Sequence, residues 1–198
     1  MASKISIFAP DFKKLKMIYP IYLYGHPVLR KQCENITSEY PKLKELVADM
    51  FATLEKTGGI GLAAPQIGIS IRLFIVDLDP LKEDIPELAG VKKVIINPDF
   101  LCKSEDELST IDEGCLSIPN VNEKVERPAK IKIKYYDEDF VEHIEEHDGW
   151  MARVMQHEFD HIDAHLFIDH ISPIRRAMIK GKLTAIQKRK ISLGYKFK

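Results

Sequence analysis

The segment that most restricts how this chain can fold is Gln156-His157-Glu158-Phe159-Asp160-His161. Two histidines four residues apart share one face of a helix, with their rings close enough to hold one metal ion, and the glutamate between them can act as a general base. The helix is expected to begin after Asp148 and run to about Asp163, with Trp150, Met151, Val154, Met155, Phe159 and Ile162 as its apolar members. Trp150, Val154, His157 and His161 follow one another at intervals of four, three and four, so both histidines fall on the apolar stripe. An unpaired imidazole there is costly, which argues for a metal rather than for solvated rings. His165 continues the series but lies about 6 Å further along the axis, out of reach of a shared ion. Phe167 stands where the longer zincin pattern needs a third histidine. His143 and His147 fall in an acidic hairpin and read as solvated.

The rest of the chain supplies what such a helix packs against. Leu43, Leu46, Val47, Met50, Phe51 and Leu54 make an unbroken apolar face over residues 41–56, with Pro41 at the first helical position and Gly58 and Gly59 ending the helix. Residues 71–78 and 94–96 are β-branched and aromatic and read as strands. Residues 130–136 alternate charged and apolar, a strand with one wet face, and 139–145 read as its hairpin partner. A third helix is expected after Pro173, interrupted at Gly181. The fold class is therefore α+β, with mostly antiparallel sheets packed around a central metal-binding helix and a C-terminal helical tail. At 198 residues and 45% hydrophobic content the chain is one domain that needs no disulfide staples, and three cysteines argue against a secreted disulfide framework.

Charge is unevenly spread. Residues 171–198 carry nine Lys or Arg and no acid, leaving 20 basic against 30 acidic residues in the remainder. The net charge of −1 gives no reason to expect a DNA partner. The longest uncharged stretch, Thr57 to Ile71, is 15 residues with four glycines and a proline, too short and too broken to span a membrane. Lys13, Lys14 and Lys16 precede MIYPIYLYG in imitation of a signal peptide, but Pro20, Pro27 and the missing cleavage pattern oppose it, and a soluble cytoplasmic protein is expected.

Two further segments carry chemistry. In Glu113-Gly114-Cys115-Leu116-Ser117-Ile118-Pro119 the cysteine is either a buried small residue or a thiolate completing a Cys-His-His set with an open fourth position; spacing leaves both open. Cys33 and Cys102 lack such a setting and read as structural. Gly59-Ile60-Gly61-Leu62-Ala63-Ala64-Pro65-Gln66-Ile67-Gly68 imitates a dinucleotide fingerprint, but a helix precedes it and Pro65 blocks one behind it. The glycines still allow close backbone approach to a ligand, and Gln66 offers an amide donor in an apolar run.

GIGLAAPQIG, EGCLSIP and QHEFDH, in this order, resemble the three motifs of peptide deformylases, and GHPVLR at 25–30 and GWMAR at 149–153 extend the resemblance from Met17 to about Asp169. The resemblance implies a metal-dependent hydrolase that removes the formyl group from the initiator methionine of nascent polypeptides. It makes Cys115, His157 and His161 the metal ligands, Glu158 the general base and acid, and Gln66 with the Leu116 N–H the oxyanion donors. Fe2+ is the implied metal, with Zn2+, Ni2+ or Co2+ as substitutes. Ile60, Trp150 and Val154 are expected to line the methionine pocket, and the peptide beyond it to lie along the edge near Ile60, Gly61 and Gly114.

This sequence also departs from the family pattern. Ala164 stands where the family usually has glycine, and a left-handed alanine costs about 1–2 kcal/mol. Residues 1–16 precede the usual start and are expected to be a dispensable extension to a catalytic domain over 17–170, with 171–198 as a basic tail. Glu113 and Arg127 are expected to pair behind the Cys115 loop. The tail reads either as a solvated helix or as a ribosomal RNA contact. Two rival functions remain at this point, an H-E-x-x-H metallopeptidase and a non-catalytic ribosome-associated module with a structural zinc. Cys115 as a ligand opposes the first, and the lack of a fourth ligand opposes the second.

Overall fold

The computed structural model describes residues 16–198, so nearly all of the 1–16 extension lies outside the described residues. Helix α1 (Leu43–Thr57) is followed by strands β1 (Gly61–Ala63), β2 (Leu73–Asp77) and β3 (Lys92–Lys103), then by the hairpin β4 (Leu108–Cys115) and β5 (Ile118–Pro128). Strands β6 (Ile131–Tyr136) and β7 (Glu142–His147) lead into α2 (Gly149–Ile162), and α3 (Pro173–Gln187) follows. A five-stranded sheet runs in the order β1-β2-β3-β6-β7, every neighbour antiparallel, and β4 with β5 forms a second, two-stranded sheet. The expected α+β architecture is what the chain adopts.

Helix α2 earns its central place by being buried on nearly every side. Met151, Ala152, Met155 and Ile162 pack with Phe74, Val76, Ile95, Ile131 and Ile133 of the large sheet. From its other flank, Arg153 reaches Val125 O at 3.0 Å and Ser109 O, and Gln156 Nε2 reaches Pro128 O at 3.0 Å, so polar side chains tie the helix to the small sheet. Strand β2 (LFIVD) is buried along its whole length, as its apolar run demands. In β6, Ile131, Ile133 and Tyr135 point inward, while Lys132 meets Glu146 at 3.0 Å on the wet face. The edge strand β7 carries five charged or titratable residues that discourage pairing with another chain.

Several boundaries differ from the sequence expectation. Helix α1 starts two residues after Pro41 because Lys42 is left-handed, at φ 57°, so Pro41 sits in the preceding turn. The β4–β5 hairpin was not foreseen. Helix α3 runs through Gly181 unbroken and buries Ile179, Leu183 and Ile186, with Arg175 Nε donating to Glu123 Oε2 of β5 at 2.7 Å. Cys33 is buried, its thiol pushed up to about 11 mainly by burial, whereas Cys102 is exposed on β3 and not part of the core that a structural cysteine was expected to join. Among the described residues no helix is long and apolar enough to cross a membrane.

Candidate active site

Helix α2 and the end of β4 bring three ligand types together. Cys115 Sγ lies 3.3 Å from His161 Nε2, and the donor atoms of Cys115, His157 and His161 all fall within 4.8 Å of one another. Ligands bound at about 2.0–2.3 Å around one ion stand at separations of this size. His157 Nδ1 contacts Glu113 Oε2 at 2.8 Å, leaving its other ring nitrogen for the metal. Burial opposes a charged thiol, but His161 and His157 outweigh it and bring Cys115 down to about 5. Burial likewise opposes a charged His157, but Cys115 and Glu113 outweigh it and raise its pKa. A buried thiolate held against an imidazolium is the charge pattern a divalent ion replaces, and the donor set fits one.

Behind the ligands lies a buried ionic network. Glu113 takes Arg127 Nε at 2.7 Å and Nη2 at 2.9 Å, Arg153 Nη1 at 2.8 Å and His157 at 2.8 Å. Arg127 Nη1 also meets Asp160 Oδ2 at 2.8 Å. The expected Glu113–Arg127 pair is therefore present and extends to a metal ligand. Burial would raise the Glu113 pKa, but His157 and Arg127 hold it far below the usual carboxylate range.

Glu158 is 3% exposed, and among the described residues its Oε2 has no hydrogen-bond partner. Burial pushes its pKa up to about 7 against the pull of His157 and His161. That is the range a general base near neutral pH needs. Gly61 makes room for it: a Cβ at that position would collide with Glu158 Oε1 and come within 2.8 Å of Val154 Cγ1. Gln66 is oriented by its own backbone turn. Its Oε1 accepts from Ala63 N at 2.8 Å, so Nε2 turns to Ser117 Oγ at 3.3 Å and Cys115 Sγ at 3.5 Å.

Cys115, His157, Glu158 and Gln66 border one cleft of about 650 Å³, whose lining also includes Ile60, Gly61, Gly114, Leu116, Trp150 and Val154. His161 lies beneath it, 1% exposed. The structure thus gathers every residue that the resemblance assigned to the site. His165 is exposed and away from the cluster. His143 and His147 are not simply solvated: each is half-buried and bonded at 2.8 Å to a carboxylate, Asp137 and Glu145 respectively. Arg153, Ser117 and Tyr195 were missed. Arg153 could have been found as a charge on the inward side of the metal helix, whereas the only local signal for Tyr195 is the apolar alternation of Ile191, Leu193, Tyr195 and Phe197, which says nothing of the site.

A thiolate and two imidazoles, a buried carboxylate beside them and an amide donor across the cleft define a metal-dependent hydrolase. The chain belongs to the polypeptide deformylase family, whose model matches residues 18–177. Peptide deformylases of Flavobacterium psychrophilum and Cytophaga hutchinsonii are 49% and 44% identical to it over 92% of this chain and 97% of theirs. The solved peptide deformylase of Thermus thermophilus superposes with a TM-score of 0.77 at 37% identity, over 87% of this chain and 99% of that one. The activity that follows is hydrolytic removal of the N-formyl group from formylated nascent peptides.

Proposed function

We propose that Cys115, His157 and His161 hold the metal and that Fe2+ is the native ion, with Zn2+, Ni2+ or Co2+ able to replace it. Support comes from the donor chemistry, since thiolate and imidazole suit these metals and not Mg2+ or Ca2+. Held by these three residues, the ion would supply Lewis acidity and make a water beside Glu158 easier to deprotonate near neutral pH. Glu158 takes the proton of that water as oxygen attacks the formyl carbon, and hands it to the methionine nitrogen as the C–N bond breaks. Gln66 Nε2 and the Leu116 N–H donate to the formyl oxygen as charge grows there; one such donor typically lowers the barrier by about 3–4 kcal/mol.

The methionine side chain lies against Ile60, Trp150 and Val154, and the following residues run past Gly61 and Gly114 by backbone contacts. Preference beyond methionine is therefore loose. Residues 17–170 carry the metal ligands and the base, the end of the 171–198 segment adds to the wall of the cleft, residues 1–16 are dispensable, and the protein works in the cytoplasm. The basic 171–198 segment contacts the ribosome; it carries nine Lys or Arg and no acid of its own, and of these Arg175 and Arg176 are already paired with Glu123 and Asp169 of the body, so the contact is made by the remaining cations.

The observation that carries the reading is the buried Glu158 carboxylate beside the Cys-His-His set. The test is formate release from formyl-Met-Ala-Ser by protein purified anaerobically with Fe2+, alongside Glu158→Ala. Release that the substitution abolishes while metal content holds is the expected result. No release from loaded wild-type protein overturns it and returns the metallopeptidase reading.

A further inference from the structure

Beyond α3 the chain runs back to the body, and residues Ser192, Leu193, Gly194 and Tyr195 line the same cleft as Cys115 and Glu158. Its docking follows a strand-like alternation in residues 21–24. Ile21 N donates to Lys196 O at 2.9 Å, Leu23 N to Lys198 O at 3.0 Å, and Lys198 N returns a bond to Ile21 O at 2.9 Å. The intervening amides point the other way: Tyr22 N donates to Gln66 O and Tyr24 N to Ser117 O, both at 2.8 Å. One short segment thus stands between the C-terminal residues and the two loops that carry the oxyanion donors. Tyr195 crosses the gap directly, its hydroxyl donating to Leu116 O at 2.8 Å.

Leu116 and Ser117 form the two-residue link between β4, ending at Cys115, and β5, starting at Ile118. The direction of the Leu116 N–H is set by the torsions of this link, and a bond to the Leu116 carbonyl restrains the next peptide plane. We propose that the C-terminal residues complete the oxyanion site, with Tyr195 a positioning residue that holds Leu116 so that its N–H meets the formyl oxygen. This rests on the reading of Leu116 N–H as a donor. Tyr195 acts through Leu116, and the strap as a whole steadies Gln66 through Tyr22.

Tyr195→Phe keeps the ring and removes the bond. With metal content and folded fraction matched to wild type, kcat on formyl-Met-Ala-Ser is expected to fall about fivefold to tenfold. KM and the inhibition constant of the product Met-Ala-Ser, which has no formyl oxygen, stay within about twofold. Unchanged kcat overturns the proposal, and so does a rise in KM and product inhibition constant matching any loss in kcat, the signature of a cleft wall. A second protein carries the α-hydroxy analogue of leucine at position 116, replacing the N–H alone by an ester oxygen. It is expected to lose about 100-fold in kcat, with Tyr195→Phe adding nothing further. Full kcat in the ester protein sinks the donor reading and this proposal with it. A crippled ester protein beside a fully active Tyr195→Phe, or independent losses that multiply, leaves the donor reading standing and overturns the role of Tyr195.

Discussion

Ala164→Gly is expected to make this protein more stable. Helix α2 ends in a Schellman motif: His165 N donates to Asp160 O at 2.8 Å and Ala164 N to His161 O at 3.4 Å. That geometry needs a left-handed residue after the cap, and Ala164 has φ 64°. A Cβ in this region costs about 1–2 kcal/mol. Glycine relieves it but loses about 0.4–1 kcal/mol more to the entropy of the unfolded chain. The net gain is about 0.5–1 kcal/mol, which for a chain of this size raises Tm by roughly 1–4 °C. Arg30 Nη1 bonds the Ala164 carbonyl at 3.1 Å, a contact that glycine keeps. The assay is urea unfolding of metal-loaded wild type, Ala164→Gly and Ala164→Val, with formate release measured on each. Valine, stiffer and larger at Cβ, should lose at least about 1 kcal/mol. Glycine that leaves stability unchanged or lowers it would refute the strain argument, because the hydrogen bonds are identical in both.

The ionic network behind the metal gives the next expectation: Glu113→Gln leaves Arg153 and part of Arg127 buried without their anion, at a cost of about 3–5 kcal/mol, and weakens metal binding about 10–100-fold. Because the folded Glu113 pKa lies below its ordinary 4.5, its contribution is complete above that pH and is lost as pH falls through the folded value. Wild type should therefore destabilise more steeply than Glu113→Gln on acidification below pH 4.5, as read by urea midpoints; parallel curves contradict the argument. Zinc affinity should weaken as pH falls, first because a proton occupies His157, whose pKa is raised, and more steeply below about 5, where a second proton competes for Cys115; chelator competition across this range measures it. Gln66→Ala should lower kcat about 100-fold with metal retained, and an equal loss of bound metal would reassign Gln66 to holding Cys115. Deleting residues 1–16 should leave formate release and Tm unchanged, and a large loss of either counts against a dispensable extension.

What could be read along the chain, and what could not, divides on a physical line. Helix α2 was legible because a period of 3.6 and a two-histidine face are local, and α1 because its apolar stripe is unbroken; only its start was misplaced, by one left-handed lysine. The β4–β5 hairpin was illegible for a reason visible in β5. Its inward residues are Val121, Glu123, Val125 and Arg127, so buried charges interrupt the apolar alternation that marks a strand. Those charges are tolerable only because Arg175, Glu113 and Asp160, distant in sequence, meet them. Cys115 was ambiguous by the same logic: a thiol becomes a ligand only when two histidines 46 and 42 residues further on, His161 and His157, lower its pKa. The C-terminal stretch is the extreme case. Its attachment runs through backbone bonds to residues 21–23, which any sequence could make, through a short apolar alternation of Ile191, Leu193, Tyr195 and Phe197, and through one tyrosine hydroxyl 79 residues from the carbonyl it meets. Reaction chemistry demands particular side chains and so leaves motifs, whereas support from the main chain leaves none. The parts of this site most open to surprise are therefore those that hold Leu116 and Gln66 in place.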